Sequence, residues 1–220
     1  MTTTLGPVLP RDHGGFFSGK LSARVTPVDP ATERLGLADW LFRSQAASIV
    51  WLVARFWLGY QWANAGYQKI WGSERLGFWY NNGAGVKGFA TGGVAASHGA
   101  TASVAYGWWA GFLHNFVTPN AAWIAKLVAL GELAIGVALI LGLFTGLAAL
   151  AGVTLNLTYM LSGVAGVNPI YALIGVGLIL AWRNAGNLGL DRYVLREVGT
   201  PFHAGRLVRR AAHRKAPVTS

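Results

Sequence analysis

Apolar residues gather in four runs along the chain, separated by polar or glycine-rich stretches. The first covers about positions 46–69, the second about 121–141, the third about 145–163, and the fourth about 169–183. A helix needs about 20 residues to span a bilayer core. The fourth run is short for that, so it starts in the loop before it or sits in a thinned region. Asn168–Pro169 makes a helix start, because proline at the first helical position gives up no hydrogen bond. The connection between the first two runs, 72–120, is long, which marks a functional or docked element. Its first half, "NNGAGVKGFATGGVAASHGA", is rich in glycine and predicts irregular backbone. Its second half puts Tyr106, Trp109, Leu113 and Phe116 at helical spacing with Trp108 and Phe112 beside them. That pattern predicts an interfacial helix with its aromatics at headgroup level. Upstream, Asp29–Pro30 supplies an N-cap and first turn. Leu35, Ala38, Trp40, Leu41 and Phe42 then give one apolar side to a helix lying on the membrane surface or on a partner.

The pattern predicts an all-α fold: an integral membrane four-helix bundle with a long extracytoplasmic loop. Three regions follow: an N-terminal cytoplasmic arm with an amphipathic helix (1–45), the transmembrane domain (46–183) and a basic cytoplasmic tail (184–220). Composition agrees. Of the 220 residues 53% are hydrophobic and 12% charged, against about 25% charged in soluble domains. The N-terminus lacks the apolar core of a signal peptide.

Charge sets the orientation. Arg11, Lys20, Arg24, Arg34 and Arg43 lie in the arm, and the tail carries Arg183, Arg192, Arg196, Arg206, Arg209, Arg210, Arg214 and Lys215. The loop at 72–120 holds only Arg75 and Lys87. Positive residues stay on the cytoplasmic side, so a multi-pass protein of the cell membrane with both termini inside is expected. The net charge of +10 is then a consequence of topology, and nucleic acid is not an expected partner. The segment from Arg206 to Lys215 suits anionic headgroups or an acidic partner.

The chain has no cysteine, which removes thiolate catalysis, disulfides and cysteine-ligated clusters. No histidine falls inside a predicted span, so a transmembrane bis-histidine haem is excluded. Carboxylates are too few and scattered for a bridged metal site. The expectation is no metal and no covalently held cofactor, with catalytic residues unassigned.

Charges of opposite sign lie deep inside the runs. Arg55, within "VARFWLGYQWANAGYQKIWG", costs at least about 2.5–3.5 kcal/mol at a bilayer centre, and Glu132 is the lone carboxylate in any span. Arg55 lies about 13 Å from the inner boundary and Glu132 about 16 Å from the outer one. In a core of about 30 Å the depths coincide, which pairs Arg55 with Glu132 as a structural clamp or as part of a ligand pocket. Arg55, Gly59, Trp62, Gly66 and Lys69 share one helix face, and Asn156 and Tyr159 lie on a stripe of the third run. Trp62, Tyr67, Lys69, Asn156 and Tyr159 are therefore candidate ligand-binding residues.

"RFWLGYQWANAGYQKIWG", "LVALGELAIGVALILGLFTGLAAL", "GVAGVNP" and "AGNLGLDRYVL" resemble the corresponding segments of the DoxX family of four-helix membrane proteins, including its DoxD-like branch. The resemblance covers about 40–200, and "GELAIGVALILG" is its most specific block. It implies a subunit of a membrane oxidoreductase complex. DoxD-like proteins are associated with thiosulfate:quinone oxidoreductase, and DoxX relatives with redox and thiol homeostasis. A quinone is then the ligand to expect, with Arg55, Lys69, Tyr67, Trp62 and Tyr159 as donors, and a partner subunit brings the redox cofactor. A structural anchor or accessory subunit without a ligand of its own is the alternative, and a small-solute pore a weaker one. Membrane lipids, other subunits and a second copy of the chain are the partner classes left open.

Overall fold

The computed structural model describes residues 36–44, 46–95, 106–200 and 203–206. The Asp29–Pro30 helix start, most of the N-terminal arm and the basic tail beyond Arg206 lie outside the described residues. The described part is mostly helical. Its elements are α1 (Gly36–Arg43), α2 (Ala47–Ile70), α3 (Ala84–Ala95), α4 (Gly107–Phe112), α5 (Ala121–Leu141), α6 (Thr145–Leu161), α7 (Asn168–Leu180), α8 (Trp182–Ala185) and α9 (Asp191–Val198). Two π-helical segments, Leu76–Tyr80 and Leu113–Val117, lie in the long connection. A two-residue antiparallel pairing, Gly199–Thr200 with His203–Ala204, follows α9.

The α2–α5 interface is the most extensive, and small residues make it. A Cβ at Gly66 would run into the Leu133 backbone, and one at Gly136 into that of Ala63. A Cβ at Gly59 would lie 3.0 Å from the Gly136 carbonyl oxygen. Glycine at these positions lets the two backbones approach closely. α6 packs on α7, α5 on α6 and α2 on α7. Trp51, Leu58, Trp62, Ile135, Leu139, Ala149 and Leu178 form the core between them.

The outer faces stay apolar. Val53, Tyr60, Leu127, Leu147, Leu173 and Leu180 are all more than half exposed, a surface far more apolar than a soluble monomer tolerates. Among the described residues α5 alone is both long and apolar enough to cross a membrane, with mean hydropathy 2.2. α2 has the length, at 24 residues, but carries Arg55, Gln61, Asn64, Gln68 and Lys69. α6 and α7 are apolar but shorter, at 17 and 13 residues. The fourth run does not continue as one helix to 183. α7 stops at Leu180 and α8 is a separate turn.

The glycine-rich half of the long connection is helical from Ala84 to Ala95, where irregular backbone was expected. α3 forms because Val86 and Ala90 are buried against Leu113, Val117, Ala121 and Ala125, and tertiary packing overrides the weak helix propensity of glycine. The aromatic helix of the second half is also divided in its loyalties. Trp108, Phe112 and Phe116 are exposed, whereas Trp109 and Leu113 are buried at 8% and 2% exposure. Half of the stripe read as a membrane anchor is therefore core, packed under α3.

Candidate functional site

Arg55 and Glu132 do not meet. The glycine contacts set α2 against α5 with Gly66 level with Leu133 and Gly136 level with Ala63. Carried along the helices, that register puts Arg55 level with about position 144, roughly 18 Å along the axis from Glu132 at 1.5 Å per residue. Matching depths assumed that the two helices begin and end together. They are instead staggered by about two to three turns, α5 being displaced toward the C-terminal end of α2.

Arg55, 1% exposed, is held at the opposite end of the bundle. Its Nη1 donates to the Ala185 carbonyl at 3.1 Å and its Nη2 to that of Leu188 at 3.3 Å. A Cβ at Gly142 or Gly189 would collide with the guanidinium, so both glycines make room for it. Gly142 also ends α5 in the left-handed conformation, with φ +65°, where glycine alone is free of strain. The carboxylate near Arg55 is Asp191, which comes from outside the predicted spans. Asp191 accepts from the Phe144 amide at 2.5 Å and the Thr145 amide at 2.9 Å, satisfying free N–H groups at the start of α6. Its own amide donates to Gly142 at 2.7 Å. Arg55 thus ties α2 to the α5–α6 turn and to the segment running from α8 into α9. Beside this knot Ser48 Oγ donates to Asn184 Oδ1, and Asn184 Nδ2 donates to the Ser44 carbonyl at 2.8 Å.

Glu132 finds other partners. Its Oε2 lies 2.8 Å from Lys69 Nζ, and its Oε1 accepts from the Tyr159 hydroxyl at 2.6 Å. Lys69 is in the last turn of α2, Glu132 halfway along α5 and Tyr159 near the end of α6, so three helices converge on one point. The Glu132 side chain is 2% exposed and that of Lys69 13%. Lys69 also reaches Glu74 Oε2 at 3.7 Å, and Glu74 is half exposed. The Phe78 ring lies 5.1 Å from Lys69 Nζ, and Phe89 meets Tyr159 edge to face at 5.8 Å.

Lys69, Glu132 and Tyr159 form one wall of a cavity of about 470 Å³. Glu74, Thr158 and Asn168 add polar groups to the lining, and the rest is apolar and strongly aromatic: Phe78, Phe89, Trp109, Phe112, Phe116 and Trp123 come from the long connection and from α5. Trp109 and Phe112 stack at 5.2 Å, as do Phe112 and Phe116. Trp109 is held by donating from Nε1 to Ser162 Oγ at 2.9 Å. The rim residues Phe112, Phe116, Trp123, Leu127 and Val164 are exposed, so the cavity opens through the apolar flank of the bundle.

Of the residues singled out in the sequence, this cavity brings together Lys69, Glu132 and Tyr159. Arg55 belongs to the knot at the other end. Trp62 is buried in the core with Nε1 beside Gly152. Asn156 is 1% exposed and also lies off the cavity wall, and neither its amide nor Trp62 Nε1 has a protein partner. Tyr67 points outward, half exposed, against Trp71. Glu74 and Asp191 are not among the sequence-predicted residues, since both lie outside the apolar runs. Each is a carboxylate at a helix boundary in a chain with few of them, which was the available signal.

The DoxX family model matches residues 50–163. That interval holds α2 from Val50 onward, α5 and α6, and with them Lys69, Glu132 and Tyr159. The chain belongs to the DoxX family. It is therefore a membrane protein, which gives its exposed apolar flanks a lipid environment. No curated protein and no solved structure matches the chain.

Proposed function

We propose that this DoxX protein is a four-helix, multi-pass subunit of a membrane redox complex that holds a quinone head group in the aromatic cavity. The cavity and its polar wall carry this reading. Ligand pockets measure about 300–1,000 Å³ and combine apolar walls with a few convergent polar groups, and the cavity has that size and character. A quinone ring needs flat apolar surfaces on its faces and hydrogen-bond donors at its oxygens. Phe112, Trp109 and Phe89 offer the first and Lys69 the second, while the Tyr159 oxygen, whose proton goes to Glu132, is left as an acceptor for a ligand hydroxyl. The exposed apolar rim suits entry from the bilayer rather than from water. A bound quinone supplies two-electron redox chemistry, and the chain's own residues bind and orient it and exclude water around it. A partner subunit carries the cofactor that exchanges electrons with the ligand.

In this reading α2, α5, α6 and α7 cross the membrane, both termini are cytoplasmic, and α3 and α4 cap the bundle on the outer side. Purification from native membranes in mild detergent, with lipid extraction and mass spectrometry, tests the assignment. Quinone retained in stoichiometric amount, and lost on Trp109→Ala, supports it. Stoichiometric protein partners without quinone favour an anchor or accessory subunit instead.

A further inference from the structure

Lys69, Glu132 and Tyr159 in the cavity wall are linked to one another and to the outside. Tyr159 donates to Glu132 Oε1 at 2.6 Å, Glu132 Oε2 lies 2.8 Å from Lys69 Nζ, and Lys69 Nζ lies 3.7 Å from Glu74 Oε2. Exposure rises along this line, from 2% for the Glu132 side chain through 13% for Lys69 to 50% for Glu74. All four residues come from the end of the bundle capped by the long connection. Phe78 and Phe89, which pack over Lys69 and Tyr159 from that connection, carry no ionisable group. A buried ion pair serving packing alone gains nothing from a second, exposed carboxylate on its lysine or from a phenol open to a cavity. Burial of charge in a membrane bundle more often marks a proton or ion route.

We propose that Tyr159, Glu132, Lys69 and Glu74 form a proton line between an oxygen of the cavity ligand and the aqueous side of the membrane next to the cap. The proposal rests on the quinone reading above and adds to it the route of one proton. Tyr159 takes a proton from the ligand hydroxyl and passes its own to Glu132. Glu132 returns one to Lys69, which has given one to Glu74, and Glu74 releases it to water. One O–H bond breaks on the ligand and one forms in water, the four side chains end as they began, and no electron moves along the line. The electrons of the ligand's redox change pass to the cofactor of the partner subunit. The second hydroxyl, on the far side of the ring, exchanges its proton outside this line. In the reverse direction the same groups deliver a proton.

Electrochemically driven infrared difference spectroscopy tests this on the full chain in lipid nanodiscs loaded with decylubiquinone, the electrode standing in for the partner's cofactor. The expected result is a transient carboxyl band after each potential step that shifts in D₂O, rises and decays as the quinone bands grow, and disappears in Glu132→Gln and Tyr159→Phe. In Glu74→Gln, an exposed change that spares the fold, the Glu132 band persists but returns more slowly after each potential step. Quinone bands without any Glu132-dependent carboxyl change overturn the proton line and leave ligand binding standing. An unaltered return rate in Glu74→Gln overturns the exit through Glu74. Absence of quinone bands altogether overturns the binding reading and the line with it.

Discussion

Exchanging Lys69 for Met should strand the Glu132 carboxylate, and the size of the loss can be worked from its surroundings. At 2% exposure the carboxylate has Lys69 at 2.8 Å and the Tyr159 hydroxyl at 2.6 Å. Without Lys69 it keeps one neutral donor, and breaking a buried pair by removing one member costs about 3–5 kcal/mol. Glu132→Leu is milder. Lys69 still has Glu74 at 3.7 Å and the Phe78 ring at 5.1 Å, and the main loss is the acceptor of Tyr159, about 1–3 kcal/mol. In the double variant no carboxylate is left to strand, so its loss should resemble that of Glu132→Leu alone. The coupling energy is then about 3 kcal/mol or more. Reversible unfolding in mixed micelles, titrated with SDS, measures all four corners of the cycle. The Arg55–Glu132 cycle is the control. About 18 Å apart along the axis, those two residues should be additive to within about 0.5 kcal/mol. Additivity of Lys69 with Glu132, or strong coupling of Arg55 with Glu132, would refute the register derived from the α2–α5 glycines.

The same register predicts opposite outcomes for two glycines. Gly66→Ala drives a Cβ into the Leu133 backbone and should sharply lower folded yield. Gly131→Ala meets nothing within 4 Å and should be neutral or stabilising by up to about 1 kcal/mol from helix propensity, both read by size-exclusion chromatography and SDS titration. Arg55→Lys should not restore what Arg55→Met loses. The guanidinium serves two carbonyls, of Ala185 and Leu188, from two nitrogens, and an ammonium lacks that fork; the same titration should place both variants within about 1 kcal/mol of each other. For topology, Gly93→Cys and His213→Cys in this cysteine-free chain should differ. An impermeant thiol reagent on intact cells should label the first alone, and the reverse pattern overturns the orientation.

Much of the helical frame was legible in the order of residues. The apolar runs at 121–141 and 145–163 and the helix start at Asn168–Pro169 bound α5, α6 and the start of α7, because helix length and end signals are local properties. The shared face of Arg55, Gly59, Trp62, Gly66 and Lys69 followed from helical periodicity alone, and so did Asn156 and Tyr159 as the polar positions of α6. Periodicity says which residues share a face, but not how far one helix slides along another. That offset is decided by where Gly59, Gly66 and Gly136 let two backbones touch, and it moved Glu132 from Arg55 to Lys69. The long connection was misjudged for a related reason. Glycine content argues against a helix locally, while Val86, Ala90, Trp109 and Leu113 bury one another across sequence separations that no local pattern reveals. The sequence by itself determined the elements and the few charges that had to find partners in an apolar surrounding. Only the tertiary structure decided the pairing, since each buried charge takes the opposite charge or carbonyl that helix stagger brings within reach: the Ala185 and Leu188 carbonyls for Arg55, Lys69 and Tyr159 for Glu132.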